Sequence, residues 1–160
     1  MIGRMIRWTT SRKGQALMEF AFIAPLILVF LFVMVDFGIA LDRRIVLQHA
    51  VADSARRGAV NPDIADTIAY AEDQSQGLLD TTVNPSAVVV CFTDDDADSR
   101  WGEVGDSIVV KADFDYQFTV PFGELFNAFG AAVPGSIKLN PSATKRLETT
   151  AAVSAADQCS

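Results

Sequence analysis

The chain has 160 residues, half of them hydrophobic, and carries 13 Lys/Arg against 20 Asp/Glu for a net charge of −7. That length suits one domain plus an anchor. A negative balance of this size repels nucleic acid, whose binders cluster Lys and Arg.

The charge is unevenly placed. Residues 1–13 contain four cations (Arg4, Arg7, Arg12 and Lys13) and no acid, which leaves nine Lys/Arg against twenty Asp/Glu in the rest. Such a basic head suits the anionic cytoplasmic leaflet of a membrane. Residues 16–35 follow as an apolar run that only Glu19 interrupts. Its twenty residues, as a helix rising about 1.5 Å each, span about 30 Å, the hydrocarbon thickness of a bilayer. Asp36 then falls near the far interface, and Asp42, Arg43 and Arg44 lie in water. The preceding cations orient the N-terminus to the cytoplasm. Everything after Asp36 is therefore expected to face outward, which is the periplasm if the cell is Gram-negative. A secretory signal peptide is the competing reading, but its apolar stretch runs only about 7–15 residues and closes on a small-residue cleavage site. This run is longer, and Gly38-Ile39-Ala40 matches such a site only loosely.

Two residues inside the run need a reason. Pro25 removes a backbone donor and crowds the preceding turn, which predicts a kink. The bend either helps subunits pack or is simply tolerated. Glu19 is costlier, since an ionisable group at membrane depth is expensive unless something requires it. The positive end of the helix dipole offsets part of that cost, about 0.3–1 kcal/mol. This explains tolerance of the acid but not its position five residues after Gly14.

Gly14 followed by Gln15-Ala16-Leu17-Met18-Glu19-Phe20, behind four cations, resembles the processing site and assembly helix of type IV pilins. More narrowly, it resembles the TadE-like pseudopilins of the tight-adherence (Flp pilus) system. Val35-Asp36-Phe37-Gly38 is similar to the acid-Phe-Gly stretch that ends the apolar helix in that family. Residues 48–59, with Ala55-Arg56-Arg57-Gly58, are similar to the helix that follows it. The resemblance implies that Gly14 precedes the scissile bond of a prepilin peptidase and that Gln15 becomes the mature N-terminus. Glu19 is then the fifth mature residue, followed by Phe20, and pairs with the new amino terminus of a neighbouring subunit. In low dielectric such a pair sets register more than it adds stability. Gln15 departs from the phenylalanine that begins most major type IV pilins. Glu-Phe rather than Glu-Tyr, and a chain much longer than the helix, favour a pseudopilin over the major Flp pilin. The implied organisation is a basic cytoplasmic leader (1–14), a transmembrane and assembly helix (15–41) and an extracytoplasmic pilin-like domain (42–160). The implied partners are the prepilin peptidase, other pilins and pseudopilins, the Tad secretion platform and the inner membrane, with no nucleic acid.

Beyond the membrane the first helix continues. Leu47, Val51, Ser54, Ala55 and Gly58 recur at helical spacing as a small-residue face, and Asp53 is placed to pair with Arg56 or Arg57. Gly58 and Asn61-Pro62 end the helix. Asn61 is then expected to cap a second helix with Pro62 at its first position. Ile64, Ile68, Ala71, Ser75 and Leu78 form its buried face, and it stops around Asp80. Residues 87–93 read as a short buried strand. Residues 107–120 alternate: Ile108, Val110, Ala112, Phe114, Tyr116, Phe118 and Val120 face one side, and Lys111, Asp113, Asp115, Gln117 and Thr119 the other. That is one strand with a wet face. Residues 136–149 read as a third, with Pro141 marking a bulge or edge. In the intervening 121–135 stretch, Phe122, Leu125, Phe126 and Phe129 are spaced as one helical face. They form either a lid on the sheet or an exposed patch for a membrane or another subunit. The expected fold is α+β: a long N-terminal transmembrane helix running into a pilin-like domain with a second helix and an antiparallel sheet of about three strands.

Cys91 and Cys159 lie outside the cytoplasm, where disulfides persist. A bridge between them, two free thiols and an intersubunit bond are the alternatives. Asp94, Asp96 and Asp98 in an acidic run raise a calcium hypothesis, in which Glu103 or Asp106 would assist. An EF-hand loop beginning at Asp94 would need glycine at position six and glutamate at position twelve, where Ser99 and Gly105 stand. The plain alternative is a solvated hairpin loop. His49, the single histidine, has no partner spacing for metal or a catalytic triad. No phosphate-binding glycine loop or nucleophile elbow is present, so neither a cofactor nor an enzymatic activity is expected. The functional expectation is a minor pilin of the Flp system, acting in pilus biogenesis, adhesion and secretion. The alternative is an unprocessed, inner-membrane-anchored periplasmic binding or adhesion module.

Overall fold

The computed structural model describes residues 12–119, 130, 135–153 and 157–159. Most of the basic leader, and Phe122, Leu125, Phe126 and Phe129, lie outside the described residues.

Helix α1 (Arg12–Val60) is one element of 49 residues, about 73 Å long at the usual rise. Pro25 lies inside it. Nearly every side chain between 14 and 35 is exposed. Burial begins at Asp36 and Ala40 and becomes regular at Leu47, Ala50, Val51, Ser54, Ala55, Gly58 and Ala59. Steps of three and four put these on one stripe, the face anticipated from the spacing of Leu47 to Gly58. Small side chains let neighbours approach closely. A Cβ on Gly58 would stand 2.6 Å from Ile108 Cδ1 and 3.0 Å from Thr67 Oγ1.

Helix α2 (Ile64–Gln74) folds back against α1. Its N-cap is Asp63 rather than Asn61: the Asp66 N–H donates to Asp63 Oδ1 at 3.0 Å. The Asn61 carbonyl is instead occupied in a tight turn, accepting from the Asp63 N–H at 2.8 Å. The helix ends near Ser75, earlier than Asp80, because Gln76 and Gly77 take positive φ and turn the chain away. The anticipated face does point inward: Thr67, Ala71 and Ser75 are fully buried, and Ile64, Ile68 and Leu78 pack beside them.

Among the described residues five strands follow: β1 (Val88–Thr93), β2 (Ser107–Ala112), β3 (Phe114–Gln117), β4 (Ser136–Leu139) and β5 (Ser142–Arg146). Strand β2 lies between β1 and β5 in an antiparallel three-stranded sheet, while β3 and β4 pair separately. The single strands expected over 107–120 and 136–149 are thus each broken once. The break has a local cause. Lys111 faces Ser142 on one side of it and Phe114 faces Leu139 on the other, so the register passes through without a slip. Between them the Ala112 N–H donates to Pro141 O at 3.0 Å, and proline has no N–H to return the bond. The next residue, Asp113, donates to Ala87 O at 2.9 Å instead.

The alternation survives the break. Ile108, Val110, Ala112 and Tyr116 are buried, and Lys111, Asp113, Asp115, Gln117 and Thr119 are exposed. The core is formed where α1 and α2 cover this face: Leu47, Val51, Phe92, Ile108 and Val110 are essentially inaccessible. On the opposite face Cys91 is disulfide-bonded to Cys159, with Cα atoms 5.0 Å apart. The Cys159 N–H also donates to Phe92 O at 3.0 Å. The architecture is α+β, a long apolar-headed helix carrying a second helix and an antiparallel sheet.

Candidate functional site

The first candidate region is the exposed half of α1. This stretch is long and apolar enough to cross a membrane, and only 6% of its most apolar window is buried. A core helix of a soluble domain would be mostly covered, so the exposure favours an anchor. A Cβ added to Gly14 would meet nothing within 4 Å. One turn apart, Gln15 Nε2 donates to Glu19 Oε1 at 3.3 Å. Phe20 is 66% exposed. Glu19 and Phe20 therefore stand on a helix surface that the chain itself does not cover.

The second region is the exit of that helix. Asp36 is only 2% exposed. Its Oδ1 accepts from the Tyr116 hydroxyl at 2.9 Å and from the Thr119 N–H at 3.2 Å. Tyr116 is itself buried and meets Phe118 edge-on at 5.7 Å between ring centres. Burial, followed by the bond to Asp36 and its charge, pushes the Tyr116 phenol up; Thr119 and the Arg43 charge oppose. A buried carboxylate needs such donors, and here they come from β3 and the residues after it. The contact joins the end of the apolar run to the outer domain. Sequence reasoning placed Asp36 at the interface but missed this role. The two partners are 80 residues apart, and no periodicity connects them.

The third region is the β1–β2 loop. Carboxylate oxygens of Asp94, Asp96 and Asp106 lie within 4.8 Å of one another. Asp98 instead turns to the Arg100 N–H at 2.8 Å, so the gathered trio differs from the Asp94, Asp96, Asp98 set singled out in the sequence. Asp106 is buried and accepts from the Asp95 and Glu103 N–H groups at 3.2 and 3.1 Å. Desolvation works to raise Asp94, but N–H donors from Ser99, Ala97 and Asp98 outweigh it and hold the carboxyl below its ordinary value. With one oxygen from each carboxylate gathered there, the 6–8 that calcium takes would require bidentate carboxylates, carbonyls or waters as well.

A further difference concerns the end of α1. Arg57 pairs with Asp66 of α2 at 2.8 and 3.1 Å and lies over the Tyr70 ring at 4.8 Å. The expected partner, Asp53, forms no ion pair among the described residues.

Together these features fit a class of protein, the single-pass membrane anchor, with the helix continuing into a small α+β domain. Residues 14–56 match the family model described as TadE-like protein, and over that segment the chain is similar to that family. The match includes Gly14, Glu19, Pro25, Asp36 and the small-residue face up to Ala55. No curated protein and no solved structure matches the chain.

Proposed function

We propose that this protein is a minor pilin of a Tad (Flp) pilus system, made as a precursor and trimmed by a prepilin peptidase between Gly14 and Gln15. The observation that carries the reading is that the family match begins on Gly14 itself, five residues before an acid on an otherwise apolar, uncovered helix. In this reading residues 1–14 are a cytoplasmic leader, 15–41 cross the inner membrane, and 42–160 form an outer domain in the periplasm or on the pilus. Cleavage frees an ammonium at Gln15, and Glu19 of an adjoining subunit pairs with it. Because both groups sit in low dielectric, mispaired registers leave a charge unmatched and are penalised. Pro25 supplies a bend in the packed helices. The role is structural rather than catalytic: the protein is the substrate of its peptidase and a partner of other pilins and the secretion platform. It would serve adhesion, biofilm formation and secretion.

Intact-mass analysis of membrane-extracted protein from a host with the cognate peptidase tests this. A form beginning at Gln15 is expected, and full-length chain alone would overturn the processing claim. Glu19→Gln separates assembly from simple anchoring: pilus assembly is lost if the reading holds, whereas an unprocessed anchored module would be indifferent.

A further inference from the structure

Nine Lys/Arg follow the leader, and four of them meet in one open groove of about 560 Å³. Arg56 and Arg57 of α1 and Lys145 and Arg146 of β5 line it, together with Asp53, Tyr70 and Glu148. Arg57 is already committed to Asp66 and Tyr70. Arg146 Nε donates to Gly105 O at 2.8 Å, a contact with a neutral carbonyl that leaves its charge unmatched. Arg56 and Lys145 are exposed and form no ion pair among the described residues. In a chain of net charge −7, this concentration of cations is a specific feature of one surface.

The same end of the sheet carries the complement. Arg146 faces Ser107, and Ser107 faces Thr93. The segment after Thr93 is Asp94-Asp95-Asp96-Ala97-Asp98, four acids in five residues, of which Asp95, Asp96 and Asp98 are exposed. Backbone donors hold its shape: Ser99 N–H to Asp94 at 2.9 Å, Asp98 N–H to Asp96 at 3.2 Å and Arg100 N–H to Asp98 at 2.8 Å. The acids repel one another. The Asp98 N–H favours the Asp96 carboxylate, yet desolvation and the charges of Asp98 and Asp94 prevail and hold Asp96 above its ordinary value. A cationic surface brought against the loop relieves that repulsion, and a preformed loop loses little entropy on docking.

We propose that the Arg56–Lys145–Arg146 groove of one copy receives the Asp94–Asp98 loop of a second copy. Each copy then offers both halves of the contact, which either pair reciprocally across a two-fold axis or run head-to-tail from subunit to subunit. Exposed ion pairs are worth a factor of about five each at most, so the contact is weak for free molecules. It becomes effective among copies held in one membrane, where effective concentrations reach about the millimolar range. The inference rests on the anchored reading only for that concentration.

The test uses full-length chain co-reconstituted into lipid vesicles, mixing unlabelled and ¹⁵N-labelled protein. A carbodiimide condenses the Lys145 amine with a nearby carboxylate, forming an amide with loss of water to the reagent. Mixed-isotope cross-links between Lys145 and the 94–98 segment are expected at low salt, falling about tenfold near 0.5 M salt, where the screening length is only a few Å. Arg56→Gln, and separately Asp96→Asn with Asp98→Asn, each lower the yield about fivefold, and combining them adds little further loss. Exclusively same-chain cross-links overturn the proposal, as does a yield indifferent to both variants. So does coupling of Lys145 to other acids alone, the result expected if an acidic segment of a different protein occupies the groove. A Glu19→Gln chain keeps the groove: retained pilus assembly with the cross-link intact overturns the minor-pilin reading alone, and lost assembly without a mixed-isotope cross-link in either chain overturns the groove contact alone.

Discussion

The two halves of α1 share one backbone and use opposite side-chain strategies. From 17 to 35 the helix displays large apolar groups, such as Leu17 at 69% and Phe22 at 77% exposed, while Leu47, Ala50, Val51, Ser54 and Ala55 are wholly covered. The covered half is built mostly from small residues, which permit close backbone approach by α2 and β2. The displayed half needs no such fit within the chain; in the anchored reading its solvent is lipid or the flank of another helix. Stability of the second half therefore comes from the chain's own packing, and that of the first from its surroundings.

Either half of α1 can be perturbed without touching the other. Truncating Phe92, the largest fully buried side chain among the described residues, should cost about 3–5 kcal/mol. Phe92→Ala is expected to abolish near-ultraviolet circular dichroism of the outer domain in detergent. Protease protection of residues 14–35 should persist in the same sample. If protection vanished as well, the two halves would be one cooperative unit. Reducing the Cys91–Cys159 bridge, which spans 68 residues, should lower domain stability by about 2–4 kcal/mol, read as a lower urea midpoint with dithiothreitol.

Smaller effects sharpen the boundary between the halves. Asp36→Ala removes the acceptor for the buried Tyr116 hydroxyl and should cost about 1–3 kcal/mol. Adding Tyr116→Phe should restore part of the loss, since the orphaned hydroxyl disappears; strictly additive effects would argue against the contact. Gly58→Ala gains helix propensity but forces Ile108 aside, for a net cost of about 1–2 kcal/mol. The mildest perturbation is titration of the Arg57–Asp66 pair. The hydrogen bond from Arg57 holds the Asp66 carboxyl below its ordinary value of 3.8. Its contribution is thus complete above that value and disappears as pH falls below it. Asp66→Asn should lower stability slightly near neutrality and leave it almost unchanged at low pH, which flattens the acid limb of the stability curve.

Local patterns were legible in the sequence and distant pairings were not. The stripe from Leu47 to Gly58 is visible because helical spacing repeats within a dozen residues. The alternation after Ser107 is equally plain, and every one of its wet residues from Lys111 to Thr119 is exposed. The interruption between Ala112 and Phe114 was hidden, since its cause is Pro141 on the partner strand. Asn61 and Asp63 are both competent caps, and only the turn that engages the Asn61 carbonyl decides between them. At the candidate site, Glu19 stands out by chemistry alone, as one acid in an oily run. The Asp36–Tyr116 contact requires the fold, because an acid at a helix exit and a tyrosine on a strand carry no mutual signal. The cationic groove is likewise assembled from α1 and β5.

The Asp36 contact also has a mechanical consequence. It fastens the outer domain at the point where the bare helix ends, and the buried stripe from Leu47 onward fastens it again farther along. Two such attachments on one rod remove the freedom to swivel. A twist applied to the shaft below should therefore turn the whole headpiece with it, as a crank turns its handle.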